Sequence, residues 1–142
     1  MTGGERVFVD TNVLVYANDR AELRRRPLAL ARLDELWRTR TGVISTQVLQ
    51  EFYVVATRRL NPAMPRAIAR EIVVAYAEWS VVQVDSSLVV AASLLEEEHT
   101  LSFWDALIIE SAHRAGAGRL VSEDFQEGRR FGEMVVENPF TS

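Results

Sequence analysis

Four acidic residues of this chain lie inside apolar stretches of sequence. They are Asp10, Glu51, Asp105 and Asp124, within VFVDTNVLVY, VLQEFYVV, SFWDALII and LVSEDF. An ionised carboxylate that faces a core costs on the order of several kcal/mol unless a positive charge or hydrogen bonds compensate it. If the four side chains converge, a divalent cation bound through oxygen would supply that compensation. The pattern therefore favours metal-dependent hydrolysis of a phosphodiester bond.

The segments around these acids alternate between predicted strands and predicted helices. Short apolar runs predict strands at residues 7–9, 43–44, 81–84 and 119–122, with an edge strand at 134–136. Amphipathic segments predict helices at residues 12–18, 27–39 and 46–60, one that begins near residue 65, one from residue 86 or 87 to residue 98, and one at 102–116. This alternation predicts a three-layer α/β/α sandwich with a central parallel sheet, formed by one domain over residues 1–142.

The predicted fold would bring the four acids to one edge of the sheet. In open α/β folds, sites form outside the carboxyl ends of the strands. Asp10 and Asp124 directly follow predicted strands, so they fall at that edge. Glu51 and Asp105 are expected in the first turns of helices that begin there. The four carboxylates should therefore meet although they are far apart in the chain.

Glu51 is the acid whose position is hardest to explain by structure alone. On its predicted helix it lies within the apolar stripe, three residues after Val48 and four before Val55. A helix side chain so placed faces the core and not the solvent. The structural alternative is an ion pair with an arginine such as Arg58, or solvent exposure near the end of the helix.

The other three acids have common structural alternatives. Asp105 falls three residues after Ser102, the spacing of a capping box. Asp10 could simply cap the first helix. Asp124 could occupy a turn, and its neighbour Glu123 could share or replace its role. The functional interpretation therefore depends on all four acids together.

Composition narrows the classes of function. The chain has no cysteine, which excludes a disulfide framework and a thiolate metal site. His99 and His113 lack partners at ligand spacing, which argues against a zinc site or a Ser-His-Asp triad. No apolar run approaches the roughly 20 residues of a membrane-spanning helix, and no signal peptide is recognisable. A cytoplasmic protein without membrane association is expected.

The basic residues are all arginine, 16 in number, in a chain with a formal net charge of −4. Arginine binds phosphate bidentately, so the clusters at 24–26 and 129–130 are candidate contacts for RNA phosphates. A solvated helix surface would explain these clusters equally well. A GC-rich coding genome would explain the absence of lysine.

Four motifs in this order resemble the PIN-domain family, specifically the VapC-like toxin ribonucleases of bacterial toxin–antitoxin pairs. The opening VFVDTNVLVYA is similar to the first family motif, and QEF on a long helix to the second. SFWDALI and LVSEDFQEG are similar to the third and fourth, and the closing NPF is typical of that subfamily. The resemblance covers nearly the whole chain.

The resemblance implies a particular site and particular partners. The acidic pocket of the family binds Mg²⁺ or Mn²⁺, and its catalytic acids correspond to Asp10, Glu51, Asp105 and Asp124 here. Asn12 and Ser122 correspond to supporting polar residues, and Glu123 competes with Asp124 for the fourth acidic position. RNA is the implied substrate, a cognate antitoxin the implied inhibitor, and a homodimer the implied assembly. We expect Asp10 and Asp105 to ligate the cation directly and the other two acids to hold water around it.

Other classes of protein share an α/β fold with an acidic rim. Phospho-receiver domains and aspartyl-phosphate phosphatases normally place a lysine near the phosphoryl group, and this chain has none. The phosphatase motif also needs a second aspartate where Asn12 stands. The alternative to a ribonuclease is therefore a non-catalytic PIN-like binding module that acts through a protein or RNA partner.

Overall fold

The sheet is built from short apolar runs, which the computed structural model, describing residues 4–141, places side by side. The strands are β1 (Val7–Val9), β2 (Gly42–Ser45), β3 (Ser80–Val82), β4 (Arg119–Val121), β5 (Arg130–Phe131) and β6 (Met134–Glu137). Their order across the sheet is β3-β2-β1-β4-β6-β5. All neighbouring pairs are parallel except β5 with β6. β1 and β4, which precede two of the predicted site acids, are therefore adjacent at the centre.

Helices fill the connections between the parallel strands. They are α1 (Thr11–Ala17), α2 (Arg25–Thr39), α3 (Thr46–Arg58), α4 (Arg66–Tyr76), α5 (Ser86–Glu98) and α6 (Phe103–Arg114). Ser45 caps α3 by accepting from the Val48 N–H at 3.3 Å. Asp85 caps α5 in the same way. These short polar side chains satisfy N–H groups that a helix start leaves without partners.

Two layers of helices enclose the sheet. The connections from β1 to β2 and from β2 to β3 move the chain toward one edge of the sheet, and the connection from β3 to β4 moves it back toward the other edge. Because such connections are right-handed, α1 to α4 belong on one face and α5 and α6 on the other. The contacts agree, since α1 touches α2 and α3, α3 touches α4, and α5 packs along α6. The predicted α/β/α sandwich with a central, mostly parallel sheet is confirmed.

The strand predicted at 134–136 is present, but the prediction that it lies at the edge of the sheet is wrong. β6 lies inside the sheet, paired with β4 on one side and with β5 on the other. A two-residue turn joins β5 to β6, and Gly132 in that turn has a φ of 64°, which suits a tight hairpin. β5 has only two residues, so its alternation of apolar and polar side chains is too short to be recognised in the sequence.

The core lies between the sheet and both layers of helices. Phe8, Val9, Ile44, Leu120 and Val121 are buried on the central strands. No helix within residues 4–141 is long and apolar enough to cross a membrane. The register between β1 and β4 pairs Val9 with Val121 and fixes how the chain leaves both strands. The residues that follow these two strands are therefore held on a rigid base.

Candidate active site

A pocket of about 540 Å³ opens at the carboxyl edge of the central strands. Its lining includes the four acids singled out in the sequence, Asp10, Glu51, Asp105 and Asp124. Asn12 also lines it, whereas Ser122 and Glu123 do not. The expected convergence of the four acids on one rim is therefore present in the fold.

Asp10 is the most buried of these acids, with 4% of its surface exposed. Its two carboxylate oxygens accept hydrogen bonds from the Thr11 N–H at 2.7 Å and the Ser122 hydroxyl at 2.7 Å. Burial raises the pKa of Asp10 from 3.8 to about 7, an effect that the Ser122 bond opposes and the charges of Asp124 and Glu51 increase. Burial is the largest cause of this rise, and repulsion from the neighbouring acids adds to it.

Asp10 also caps α1, so its structural role exists beside any functional one. The Thr11 N–H needs an acceptor at this helix start, and one oxygen of Asp10 supplies it. No basic side chain pairs with Asp10 among the described residues. Its ionised form therefore has hydrogen bonds but no neutralising charge.

Glu51 reaches the pocket from the second turn of α3, later than the first turn that was expected. Its carboxylate accepts a hydrogen bond from the Thr11 hydroxyl at 2.8 Å. The alternative ion pair with Arg58 is not among the ion pairs of residues 4–141. Thr11 is a site residue that the sequence reasoning missed, and its position directly after Asp10 was the available signal.

Asp105 combines a capping geometry with a place in the pocket. Its N–H donates to the Ser102 hydroxyl at 3.1 Å, so Ser102 caps α6. Its carboxylate lines the pocket. Burial raises the pKa of Asp105, and the negative charge of Asp124 raises it further. The cap is therefore Ser102, and within residues 4–141 no hydrogen bond returns from the Asp105 carboxylate to the Ser102 N–H as a capping box would require.

A hydrogen-bond network under the pocket connects β1 to the turn after β4. The Ser122 hydroxyl, fully buried, donates to Asp10 and accepts from the Asp124 N–H at 3.0 Å. The Asn12 amide nitrogen donates to the same hydroxyl oxygen at 3.4 Å, and the Asn12 amide oxygen accepts from the Glu123 N–H at 3.2 Å. Ser122, outside the pocket, and Asn12, in its lining, thus hold the backbone that carries Asp124.

Glu123 faces away from the other acids. It accepts hydrogen bonds from the Tyr16 hydroxyl and from Arg25, the latter at 2.6 Å. Burial alone would raise the pKa of Glu123, but these two donors hold it below its usual range. Burial, together with Glu123, raises the pKa of Tyr16 to about 12, so the phenol keeps its proton. Of the two neighbouring acids, only Asp124 lines the pocket.

The arginine cluster at 24–26 is engaged within the protein. Arg24 donates to the Phe140 carbonyl at 2.7 Å, Arg25 pairs with Glu123, and Arg26 donates to the Ala17 carbonyl at 3.3 Å. These bonds connect α1, α2 and the C-terminal segment. The cluster is therefore a poor candidate for the free phosphate-binding patch that the sequence suggested.

The pocket has the chemistry of a site for a hard divalent cation, but not a finished coordination shell. Its acidic donors are all oxygen atoms, which suit Mg²⁺ and Mn²⁺. Within residues 4–141, no three acidic or histidine side chains lie close enough to hold an ion by themselves. Mg²⁺ usually keeps several waters, so a spread of carboxylates with one buried, unneutralised member still fits it.

The fold and the acidic pocket define a mostly parallel α/β domain with its polar groups at the carboxyl edge of the sheet. The family model of the PIN domain matches residues 7–129. This chain therefore belongs to the PIN-domain family, as its motifs indicated. None of the curated proteins is significantly similar to it in sequence.

Several solved structures share the fold. VapC20 of Mycobacterium tuberculosis, described as a toxin that cleaves the sarcin–ricin loop, is 23% identical, with a TM-score of 0.62 over 80% of this chain and 86% of that one. A toxin–antitoxin complex from Klebsiella pneumoniae is 18% identical, with a TM-score of 0.69 over 94% and 98%. DNA-bound VapBC from Salmonella typhimurium is 16% identical, with a TM-score of 0.66 over 96% and 99%. At these identities the likeness concerns the fold.

Proposed function

We propose that this protein is a divalent-metal-dependent endoribonuclease, using Mg²⁺ or Mn²⁺, and that it is the toxin of a toxin–antitoxin pair. The observation that carries the proposal is the convergence of four carboxylates on one pocket of a PIN domain. Asp10 and Asp124 follow the central strands β1 and β4, and Glu51 and Asp105 come from α3 and α6 on opposite faces of the sheet. A purely structural design has little reason to gather four acids that form no ion pair within residues 4–141.

We assign Asp10 and Asp105 as direct ligands of the cation. Asp10 is held in one orientation by Thr11 and Ser122, which is the rigidity that a ligand requires. Asp105 is fixed by the capped start of α6. We assign Glu51 and Asp124 to bind water molecules that lie between these carboxylates and the ion. The Thr11 hydroxyl donates to the Glu51 carboxylate and the Ser122 hydroxyl accepts from the Asp124 N–H, so both residues are held in position.

A bound divalent cation would place positive charge beside the phosphoryl oxygens and would lower the pKa of the attacking water, so that this water loses a proton more readily at neutral pH. The carboxylates of the chain bind and orient, and Glu51 or Asp124 can accept the proton that the attacking water loses. The Ser122 hydroxyl donates a hydrogen bond to Asp10 and accepts one from the Asp124 N–H. Asp10 must be ionised to act as a ligand, so its raised pKa sets a lower limit on the working pH.

The proposed partners follow from the solved relatives that share the fold. Two of these relatives are toxins in complex with antitoxins, so we propose that an antitoxin protein inhibits this chain as well. A homodimer is part of the same proposal and would be measured by sedimentation. Because cellular RNA is the proposed substrate, the protein would act in the cytoplasm.

Incubation of a mixed pool of structured RNA with purified protein tests this function. We expect cleavage in Mg²⁺ or Mn²⁺, none in EDTA, and recovery when metal is returned. An Asp10→Asn preparation purified in parallel controls for contaminating nucleases. Cleavage that persists in EDTA or in the variant would reveal such contamination. A well-folded wild-type protein that cuts nothing in any metal would favour the non-catalytic binding module.

Neutralising either of the two neighbouring acids after β4 should have different effects. Asp124→Asn removes an acid from the pocket, so we expect cleavage to fall at least about tenfold, the range found for groups that support a metal. Glu123→Gln affects only the contacts with Tyr16 and Arg25, so its rate should stay within about twofold of wild type. Its melting temperature should fall slightly. The reverse order of rates would mean that Glu123 turns into the pocket when metal binds.

A further inference from the structure

The pocket also carries groups that its acids do not explain. Besides the carboxylates, its lining includes one arginine, Arg59, and one tryptophan, Trp104. Arg59 ends α3, and Trp104 precedes Asp105 at the start of α6. The two side chains therefore reach the acidic pocket from two different helices.

Arg59 is a cation without an acidic partner. No ion pair among residues 4–141 involves it, although four carboxylates line the same pocket. An RNA strand brings several phosphates, of which a metal in the pocket can neutralise only the one being cut. The flanking phosphates would meet a surplus of negative charge, except beside this guanidinium. Arginine binds phosphate through two parallel hydrogen bonds, which suits that position.

Trp104 offers a large aromatic face at the rim of the pocket. Its side chain is among the most exposed apolar groups, at 62%, although such rings are usually at least half buried. The Phe103 ring packs edge-on against it, with centroids 5.2 Å apart, which limits its motion. An exposed, positioned aromatic ring beside an acidic site is the form of a stacking platform for unpaired bases.

Gln47 lies behind this platform and has an unsatisfied acceptor. The side chain is 5% exposed, and its amide N–H points to the Trp104 carbonyl at 3.4 Å. Its carbonyl oxygen is buried without a hydrogen-bond partner among the described residues. A buried acceptor without a donor destabilises the protein, and such a group is expected where a ligand is to supply the donor.

We propose that Trp104 and Arg59 hold an unpaired RNA strand across the acidic pocket, Trp104 by stacking on a base and Arg59 by binding a phosphate next to the scissile one. This inference rests on the proposed ribonuclease function and adds to it two residues that bind substrate. Because stacking requires an accessible base face, the site would accept single-stranded RNA, or a loop, and reject a duplex. Because every base has such a face, binding would tolerate changes of sequence.

Binding of a short, labelled, single-stranded RNA of mixed sequence tests the proposal, with Ca²⁺ as the oxygen-ligated cation and RNA integrity checked on a gel. Trp104→Ala is expected to weaken binding roughly tenfold, whereas Trp104→Phe, which keeps a stacking face, should bind nearly as wild type. Arg59→Ala should weaken binding and lower the slope of log affinity against log salt by about one. Arg58→Ala is the matched control, an exposed neighbour outside the pocket.

The outcomes separate this proposal from the function on which it rests. Variants that bind RNA like wild type while the wild type cuts RNA would overturn the clamp and leave the nuclease. RNA held through Trp104 and Arg59 but never cut would leave the clamp and overturn the nuclease. If Trp104→Ala changes the oligomeric state in sedimentation and leaves RNA affinity unchanged, the ring belongs to a protein interface and the proposal fails. Equal affinity for a duplex of the same sequence would also overturn it.

Discussion

An Asp10→Asn variant is expected to lose RNA cleavage and yet to resist unfolding better than the wild type when metal is absent. The loss follows from the proposed role of this carboxylate as a ligand, and should be at least on the order of 100-fold. The gain in stability follows from burial, because the ionised wild-type side chain has no neutralising partner. An asparagine is uncharged and keeps an acceptor oxygen for the Thr11 N–H, whereas the Ser122 hydroxyl loses its carboxylate acceptor, which reduces the gain.

The stability gain can be bounded and measured. Raising the pKa of one carboxyl from 3.8 to about 7 corresponds to at most on the order of 4 kcal/mol between the two protonation states. Urea unfolding in EDTA at pH 8 would compare wild type with Asp10→Asn, and with Asp34→Asn as a control at an exposed acid on α2. A variant less stable than wild type in EDTA would show that Asp10 is mainly a structural cap. Saturating Mg²⁺ or Mn²⁺ should stabilise only the wild type and the control.

The stability of the metal-free wild type is expected to fall as the pH rises from 5 to 8. Asp10 has a folded-state pKa of about 7, above its unfolded value of 3.8, so between these values the native state binds the extra proton. Stability then decreases with rising pH, and the contribution is lost as the pH passes through 7. Cations compete with that proton, so stabilisation by Mn²⁺ should increase over the same range.

Thermal melts at several pH values, with EDTA or with Mn²⁺, measure both trends. The informative quantity is the difference between wild type and Asp10→Asn, which cancels the contributions of the other ionisable groups. At limiting metal, cleavage should fall about tenfold per pH unit below 7, because the ionised fraction of Asp10 falls by that factor. A metal-induced stabilisation that is the same at pH 5.5 and pH 8 would contradict the role of Asp10.

Much of the fold was predictable because its signals are local. The runs at β1, β2 and β4 are apolar and follow or precede good helix caps, so their type and order could be derived from the sequence. β5 could not, because its two residues gain their conformation from pairing with β6. The same pairing turned β6 from the expected edge strand into an internal one. Long-range pairing is not visible in short segments of sequence.

The pocket acids were predictable for a different reason, namely their apolar surroundings in the sequence. Their partners were not, since these depend on which side chains meet across the fold. Glu51 bonds to Thr11, 40 positions earlier, and not to the nearby Arg58. The roles of Glu123 and Asp124 can be distinguished only in the structure, where Tyr16 of α1 and Arg25 of α2 donate hydrogen bonds to the Glu123 carboxylate. The catalytic assignment of all four acids stays a prediction until the variants are measured.

If Asp10 binds a divalent cation as proposed, its burial also connects the supply of that cation to the lifetime of the protein. Proteases cut mainly molecules that open transiently, and the open population follows the free energy of unfolding when opening and closing are fast. At neutral pH the metal-free protein would open more often, because the ionised fraction of Asp10 is buried without a neutralising charge. A cell short of divalent cations would therefore clear the empty protein first. Its abundance, and not only its activity, would then depend on the metal.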